Sequence, residues 1–110
     1  MKIKHKSSTI EADVADTFYK RLMGLSLSEK KNMFFTMPYE YRWSLWMFLV
    51  NYPIKMIFID KNNIVIDIKE GKPITSDPDT WKTYAPSKPC KYILETPFYL
   101  KIKVGDKLEF

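Results

Sequence analysis

Two kinds of side chain in this 110-residue sequence could serve a site: closely spaced carboxylates, and aromatic rings in polar stretches. Asp77 and Asp79 flank Pro78 in a long proline-containing segment. Two carboxylates at this spacing could share a cation or act as acid and base. Aspartate before proline also commonly begins a turn and caps its free amide groups. Both interpretations stay open, and Asp77 enters the candidate site.

Aromatic side chains are the second group, because their faces stack on sugars, bases or side chains of a partner. Trp81 lies in a polar stretch and is the strongest ligand-facing candidate, the alternative being that it anchors its loop. Tyr84 follows three residues later. Trp46 lies within an apolar run, where packing in the core is the alternative to ligand contact.

Arg21 and Glu95 are two charges in otherwise apolar surroundings. We hypothesise that they pair, directly or through water, beneath the long loop. The alternative is an ion pair that only sets strand register, or two separate surface charges. The candidate ligand-binding residues are therefore Arg21, Trp46, Asp77, Trp81, Tyr84 and Glu95.

Other site chemistries find little support in the sequence. Cys90 and His5 are the only cysteine and the only histidine. We expect His5 to be exposed in a frayed or edge segment over residues 1–7, which argues against a Cys–His catalytic pair. The usual zinc sites need three or four ligands, and no glycine-rich phosphate loop is present. We therefore predict no catalytic residue, metal or cofactor.

Charge composition weakens a nucleic-acid interpretation. The net charge is +5, but only Arg21 and Arg42 among the 18 basic residues are arginines, the side chains that read bases and phosphates bidentately. The absence of an apolar signal segment and the single cysteine favour a cytoplasmic protein. We expect one domain over residues 1–110.

The central apolar block runs from Trp43 to Ile59 and is interrupted by Asn51-Tyr52-Pro53. A membrane-spanning helix needs ~20 uninterrupted apolar residues, so we interpret the block as two adjacent core strands of about six residues each. Asp60–Asn63 then predicts a hairpin turn into Ile64–Ile68, since Asn and Asp tolerate left-handed conformations.

The remaining segments predict further strands and one helix. Period-two alternation indicates a strand over Ser8–Ala15, whereas Asp16 to Gly24 fits a short capped helix. The other expected elements are a strand at 33–35 ended before Pro38, a turn at 37–42, a strand at 92–95, a turn at 104–106 and a last strand at 107–110. Residues 69–91 form a long loop with four prolines, which we expect to be ordered.

Seven short motifs occur in an order that resembles a known family. They are Ala15, Thr17, Arg21 and Gly24-Leu25; Met33-Phe34 with Pro38; Trp46-Met47; Pro53-Ile54 with Phe58-Ile59-Asp60; Tyr84-x-Pro86; Tyr92-x-Leu94-Glu95; and Lys103-Val104-Gly105-Asp106. The chain is similar to members of the domain of unknown function 192 family, which are small bacterial and archaeal proteins. Phe48-Leu49-Val50 resembles archaeal members. Lys55 replaces a common acidic residue, and the loop cysteines of some members are absent.

The resemblance implies a compact, barrel-like β domain and no established activity. We predict an α+β, β-rich fold: a compact antiparallel barrel-like sheet with one or two short helices and a long proline-rich loop. We predict a binding module for a small polar or saccharide-like ligand in a cleft under the 69–91 loop. The alternatives are a protein–protein interaction domain and a carboxylate-dependent hydrolase. We expect a monomer or weak dimer, with no membrane and no specific nucleic-acid partner.

Overall fold

The structure is a computed structural model, which describes residues 1–15, 30–47, 50 and 52–110. Within these ranges the chain is built almost entirely of β-strands, and its one helical element is a 3-10 turn at Pro78–Thr80. The predicted helix from Asp16 to Gly24 lies outside the described residues. The strands are β1 (Lys2–His5), β2 (Ser8–Glu11), β3 (Asp13–Ala15), β4 (Met33–Tyr41), β5 (Leu45–Trp46), β6 (Ile54–Ile59), β7 (Val65–Gly71), β8 (Thr83–Tyr84) and β9 (Cys90–Thr96).

A five-stranded sheet in the order β3-β4-β9-β6-β7 organises the molecule. Its pairs are antiparallel except β3 with β4, which run parallel. The prediction of an antiparallel sheet is therefore wrong at this edge, because the 17-residue connection between the two strands is long enough for a parallel crossover. In the described part of the chain the sheet ends at β3 and β7, so the barrel-like closure that we expected is not found.

The predicted hairpin after the central block is confirmed. β6 and β7 pair from Ile54 with Gly71 to Ile59 with Val65. At the turn, the Asp60 carboxylate accepts hydrogen bonds from the amides of Asn62 and Ile64, at 2.8 and 3.0 Å. Asn63 adopts a left-handed φ of 66°, which asparagine tolerates better than most residues.

In the described residues, the other half of the central block forms a shorter strand than we predicted. Only Leu45 and Trp46 are in strand β5, and they pair with Thr83 and Tyr84 of β8 in a separate two-stranded sheet. β6 instead lies between β7 and β9. The interpretation of the two halves as neighbouring strands was therefore wrong, because β8 of the long loop pairs with β5 in the first half of the block.

Strand β4 also runs further than the sequence predicts. It continues through Pro38 to Tyr41, across the segment predicted to be a turn. Its pairing with β9 shifts register between Thr36 and Tyr41. Such an irregularity tolerates proline, because the residue at a bulge need not donate a ladder hydrogen bond.

The N-terminal segment is packed against the body of the protein. β1 pairs with β2 across residues 2–11, and the Ile3 side chain is completely buried. His5 is only 4% exposed, and its Nε2 lies 2.7 Å from Oδ2 of Asp106. The expectation of a frayed segment with an exposed histidine is therefore wrong, because the turn predicted at 104–106 holds the segment down.

Apolar side chains form two cores on opposite faces of the main sheet. Alternation along β6 assigns Met56 and Phe58 to the first core and Ile57 to the second. Tyr84 of the long loop packs into the first core, whereas β1, β2 and residues 102–108 contribute to the second. The last predicted strand, over residues 107–110, does not form as a continuous strand. Lys107 and Glu109 each form one isolated bridge, with Ile64 and Lys4 respectively. Among the described residues, no helix is long and apolar enough to cross a membrane.

Candidate functional site

Asp77 lies in the long loop and caps its 3-10 turn. Its Oδ1 accepts a hydrogen bond from the amide of Asp79 at 3.0 Å. The carbonyl of Asp77 accepts a further bond from the Thr80 hydroxyl at 2.7 Å. Of the two interpretations of this acidic pair, the structure bears out the capping one, and Asp77 has a structural role in ordering the loop.

Trp81 and Trp46 both present their rings to solvent. Trp81 is 61% exposed, and its indole Nε1 donates a 2.6 Å hydrogen bond to the carbonyl of Thr75 within the loop. Trp46 is 58% exposed, so the alternative in which it packs in the core is wrong. Tyr84 has the opposite environment, since it is 7% exposed and its hydroxyl accepts a bond from the amide of Lys72 at 3.2 Å. Tyr84 therefore anchors the loop to the first core.

Glu95 is buried in the centre of the main sheet. It lies directly opposite Met33 of β4 and Met56 of β6, and directly opposite residues project from the same face. Both methionines belong to the first core, so the carboxyl group faces apolar side chains from both neighbouring strands. Burial raises the pKa of Glu95 to about 8, because the charged form loses its hydration.

Tyr52 is an electrostatic neighbour of Glu95. Its pKa is raised, chiefly by burial and then by the charge of Glu95, while Lys31 acts in the opposite direction. Arg21, the partner proposed for Glu95, lies outside the described residues. The pairing hypothesis therefore stays a prediction.

A concave surface opens where β4 ends and the long loop returns to the sheet. We call it the aromatic hollow; its volume is about 510 Å³, and it is lined by Tyr41, Arg42, Ser44, Ala85 and Pro89. The two walls belong together because β5 pairs with β8, which brings the residues before Leu45 close to those after Tyr84. The long loop thus forms one wall of the hollow, but none of the five predicted site residues that the structure describes lines it.

Three aromatic rings cluster beside this hollow. The ring centroids of Tyr39 and Trp43 are 5.0 Å apart, and those of Tyr41 and Trp43 are 5.3 Å apart. The indole Nε1 of Trp43 donates a 2.9 Å hydrogen bond to the carbonyl of Tyr39, which holds the ring in place. Tyr39 and Tyr41 are 59% and 58% exposed, so the cluster offers aromatic faces to a ligand.

Arg42 supplies the polar component of the aromatic hollow. Its Nε donates a 2.9 Å hydrogen bond to the carbonyl of Pro86, which fixes the guanidinium group against the loop. Within the described chain, no acceptor engages the four N–H groups of its terminal nitrogens. They are available to a carboxylate, phosphate or hydroxyl group of a ligand, for which the planar fork is well suited.

The sequence contained a signal for this site that our interpretation missed. Tyr39, Tyr41 and Trp43 alternate with charged residues at a spacing of two, which places them on one face of an extended strand. We assigned residues 37–42 to a turn because of Pro38, and a turn does not align alternate side chains.

Thiol chemistry is disfavoured at the neighbouring cysteine. Cys90 is fully buried in the first core, and burial raises the pKa of its thiol to about 11. A thiol that stays protonated is a poor nucleophile and a poor metal ligand. Among the described residues, no three His, Cys, Asp or Glu side chains are grouped to hold a metal ion.

Comparison with known proteins places the chain in a family. The sequence profile of domain of unknown function 192, described as "Uncharacterized ACR", matches residues 1–110. The chain belongs to the DUF192 family. This result confirms the resemblance inferred from the seven motifs.

Archaeal DUF192 proteins are among the relatives of this chain. A UPF0127 protein of Thermococcus sibiricus is 36% identical, with 99% of this chain and 71% of the relative covered. A UPF0127 protein of Pyrococcus furiosus is 34% identical, with 97% and 92% covered.

A solved structure shares the fold. A protein of unknown function from Novosphingobium aromaticivorans superposes with a TM-score of 0.81 at 21% identity, covering 99% of this chain and 82% of that protein. At this identity the likeness concerns the fold alone.

Proposed function

We propose that this DUF192 protein is a binding module for a small polar, saccharide-like ligand held in the aromatic hollow. The observation that carries the proposal is the juxtaposition of a three-ring aromatic cluster with an anchored guanidinium group at one concave surface. Sugar rings stack their C–H faces on aromatic side chains, while their hydroxyl or carboxylate groups need directional hydrogen-bond donors.

The size of the hollow agrees with a ligand of this kind. Its volume of about 510 Å³ is in the range of small-molecule sites, roughly 300–1,000 Å³. The exposed hydroxyl of Ser44 can donate or accept beside the guanidinium group. Acidic sugars are the preferred members of the class, because the cationic Arg42 lines the hollow and no carboxylate does among the described lining residues.

A thermal-shift screen of neutral pyranosides, uronates and sugar phosphates tests the proposal. A ligand present at ~100 times its dissociation constant stabilises the folded state by roughly 2.7 kcal/mol, which is readily measured. The site can then be verified by fluorescence, because the sequence has three tryptophans and Trp43 contacts the hollow's Tyr41. Replacing Trp46 and Trp81 by phenylalanine leaves Trp43 as the reporter, and we expect its emission to change on binding.

Two substitutions separate the roles of the ring and the cation. Tyr41→Ala removes a stacking face worth ~1–1.5 kcal/mol, so we expect binding to weaken by about tenfold. With neutral pyranosides as ligands, Tyr99→Ala is the matched control, since Tyr99 is 79% exposed and does not line this hollow. Arg42→Lys keeps the positive charge but loses the planar guanidinium group, which can donate two parallel hydrogen bonds to a carboxylate. We therefore expect this variant to weaken the binding of uronates more than the binding of neutral sugars. Equal weakening by the Tyr41 and Tyr99 variants would contradict the proposed location.

Protein–protein interaction is the second candidate, and the exposure of two tryptophans favours it. Trp46 and Trp81 are more than half exposed, and tryptophan is among the side chains most enriched at interaction hot spots. Two results together would favour this candidate over the ligand proposal. No compound in the screen would raise the thermal midpoint, and the protein would self-associate through a contact that Trp46→Ala and Trp81→Ala abolish.

A further inference from the structure

A second concave surface, far richer in positive charge, lies along the segment that follows β9. We call it the lysine hollow; its volume is about 390 Å³, and it is lined by residues 99–103 together with Lys6 and Lys55. Side chains in the segment alternate, because Tyr99, Lys101 and Lys103 are exposed whereas Ile102 is buried in the second core. The buried side chains hold the segment to the body, and the exposed ones border the hollow.

Among the described residues, the lining of the lysine hollow contains four lysines and no carboxylate. Within the described chain, none of these four lysines forms an ion pair with an acidic side chain. Four ammonium groups around one small surface repel one another, and that repulsion is relieved by a bound anion.

Two carboxylates near the lysine hollow, those of Asp106 and Glu70, do not line it. Asp106 is near Lys6, but its Oδ2 already accepts bonds from Nε2 of His5 at 2.7 Å and from the amide of Lys103 at 2.9 Å. Glu70 is the cross-strand neighbour of Lys55 on β7, yet it borders the adjacent hollow beside Pro97. The four lysines outnumber these two carboxylates, so the net charge at the surface stays positive.

Tyr99 adds an aromatic face to this positively charged surface. Nζ of Lys55 lies 5.1 Å from the centroid of the Tyr99 ring, which orients both side chains through a cation–π contact. The ring is 79% exposed, so its opposite face is open for stacking.

We propose that the lysine hollow binds a small anion carrying two or more phosphate groups, with Tyr99 stacking on any ring attached to it. Lysine binds phosphate as a point charge and needs no bidentate geometry, which agrees with a site built without arginine. A compact surface of about 390 Å³ accommodates a small polyphosphate rather than a long strand. The site is separate from the aromatic hollow and does not depend on the function proposed there.

Titration of the full chain with inorganic tripolyphosphate, followed by amide NMR, tests the proposal. We expect chemical-shift changes to concentrate at Lys6, Lys55 and residues 99–103, and the dissociation constant to rise with salt. Changes spread evenly over all lysines, or no changes at low salt, would overturn the proposal. Tight binding of a single-stranded oligonucleotide without binding of tripolyphosphate would also overturn it, in favour of a nucleic-acid surface.

A charge-matched pair of variants isolates the site from net charge. We expect Lys101→Glu with Lys103→Glu to weaken tripolyphosphate binding by roughly tenfold or more, since two attractive ionic contacts become repulsive. The control is Lys61→Glu with Lys88→Glu, which changes the total charge equally at two exposed positions outside the hollow. Lys61 lies in the turn beyond the end of β6, and neither it nor Lys88 lines the hollow, so the control should bind within twofold of wild type. Equal loss in both variants would refute a localised site.

Discussion

The buried carboxyl group of Glu95 allows a sharp test of the first core. Glu95 is 5% exposed, and Met33 and Met56 lie opposite it on the two neighbouring strands. Burial raises its pKa from 4.5 to about 8. The folded protein therefore keeps this proton to a higher pH than the unfolded chain does.

The sign of the pH dependence follows from this difference. Below pH 4.5 both states carry the proton, and the stability associated with the neutral group is fully present. As the pH rises towards about 8, the unfolded state gains from losing the proton while the folded state cannot, so stability falls. Each pH unit in this window costs about 1.4 kcal/mol, and the whole window therefore costs ~5 kcal/mol at most.

Glu95→Gln is the informative substitution, because glutamine has nearly the same shape and carries no titratable proton. We expect the variant and wild type to have similar unfolding free energies near pH 4.5. At pH 9 the variant should be more stable by ~3–5 kcal/mol, since only wild type then holds a buried charge. Urea denaturation across this pH range measures the difference directly.

Glu70→Gln serves as the control, because Glu70 is exposed on the edge strand β7. It should leave the pH profile parallel to that of wild type. A Glu95→Gln effect that does not change with pH would refute the reasoning. The reasoning would also be refuted if wild type lost stability relative to the variant as the pH was lowered. That behaviour is expected if Glu95 is charged and forms an ion pair with Arg21.

Three further predictions concern packing, turn geometry and the thiol. Gly71→Ala should destabilise the protein by ~1–3 kcal/mol in urea denaturation, because the added Cβ would come within 2.7 Å of Sδ of Met47 and of Cε of Met56. A variant as stable as wild type would show that the two methionine side chains move aside freely. Asn63→Ala should cost about 1 kcal/mol, because φ at this turn is 66°, and the thermal midpoint should fall; an unchanged midpoint would contradict the left-handed turn. The fully buried Cys90 should react with a disulfide reagent only at the rate of unfolding, and fast labelling of the native protein would contradict its burial.

The extent of sequence-based prediction differs between local and long-range features. The β6–β7 hairpin and the Gly105 turn were predicted correctly, because Asp60, Asn63 and Gly105 act through their own backbone conformation and nearby amides. The strand at 92–95 was predicted from its apolar pattern and is part of β9. The family was also predicted, from motif order alone.

The candidate site was predicted less well than the fold. The long loop was correctly expected to be ordered and to border a concave surface, which it does through Ala85 and Pro89. Of the three residues chosen within it, Asp77 caps the 3-10 turn, Tyr84 packs into the first core and Trp81 is exposed, and their contacts with a ligand stay predictions. The hydrogen bonds of Asp77 are local, whereas the burial of Tyr84 comes from distant segments of the chain.

The sequence by itself determined turns, strand alternation and family membership, because these depend on neighbouring residues and on their order. Only the tertiary structure decided that Leu45–Trp46 pairs with Thr83–Tyr84, that the Glu95 carboxyl group lies among methionines, and that four lysines share one hollow. The physical reason is that strand pairing and burial are set by which distant segments dock together. A local pattern shows that a strand will pair, and the packing of the whole chain selects its partner.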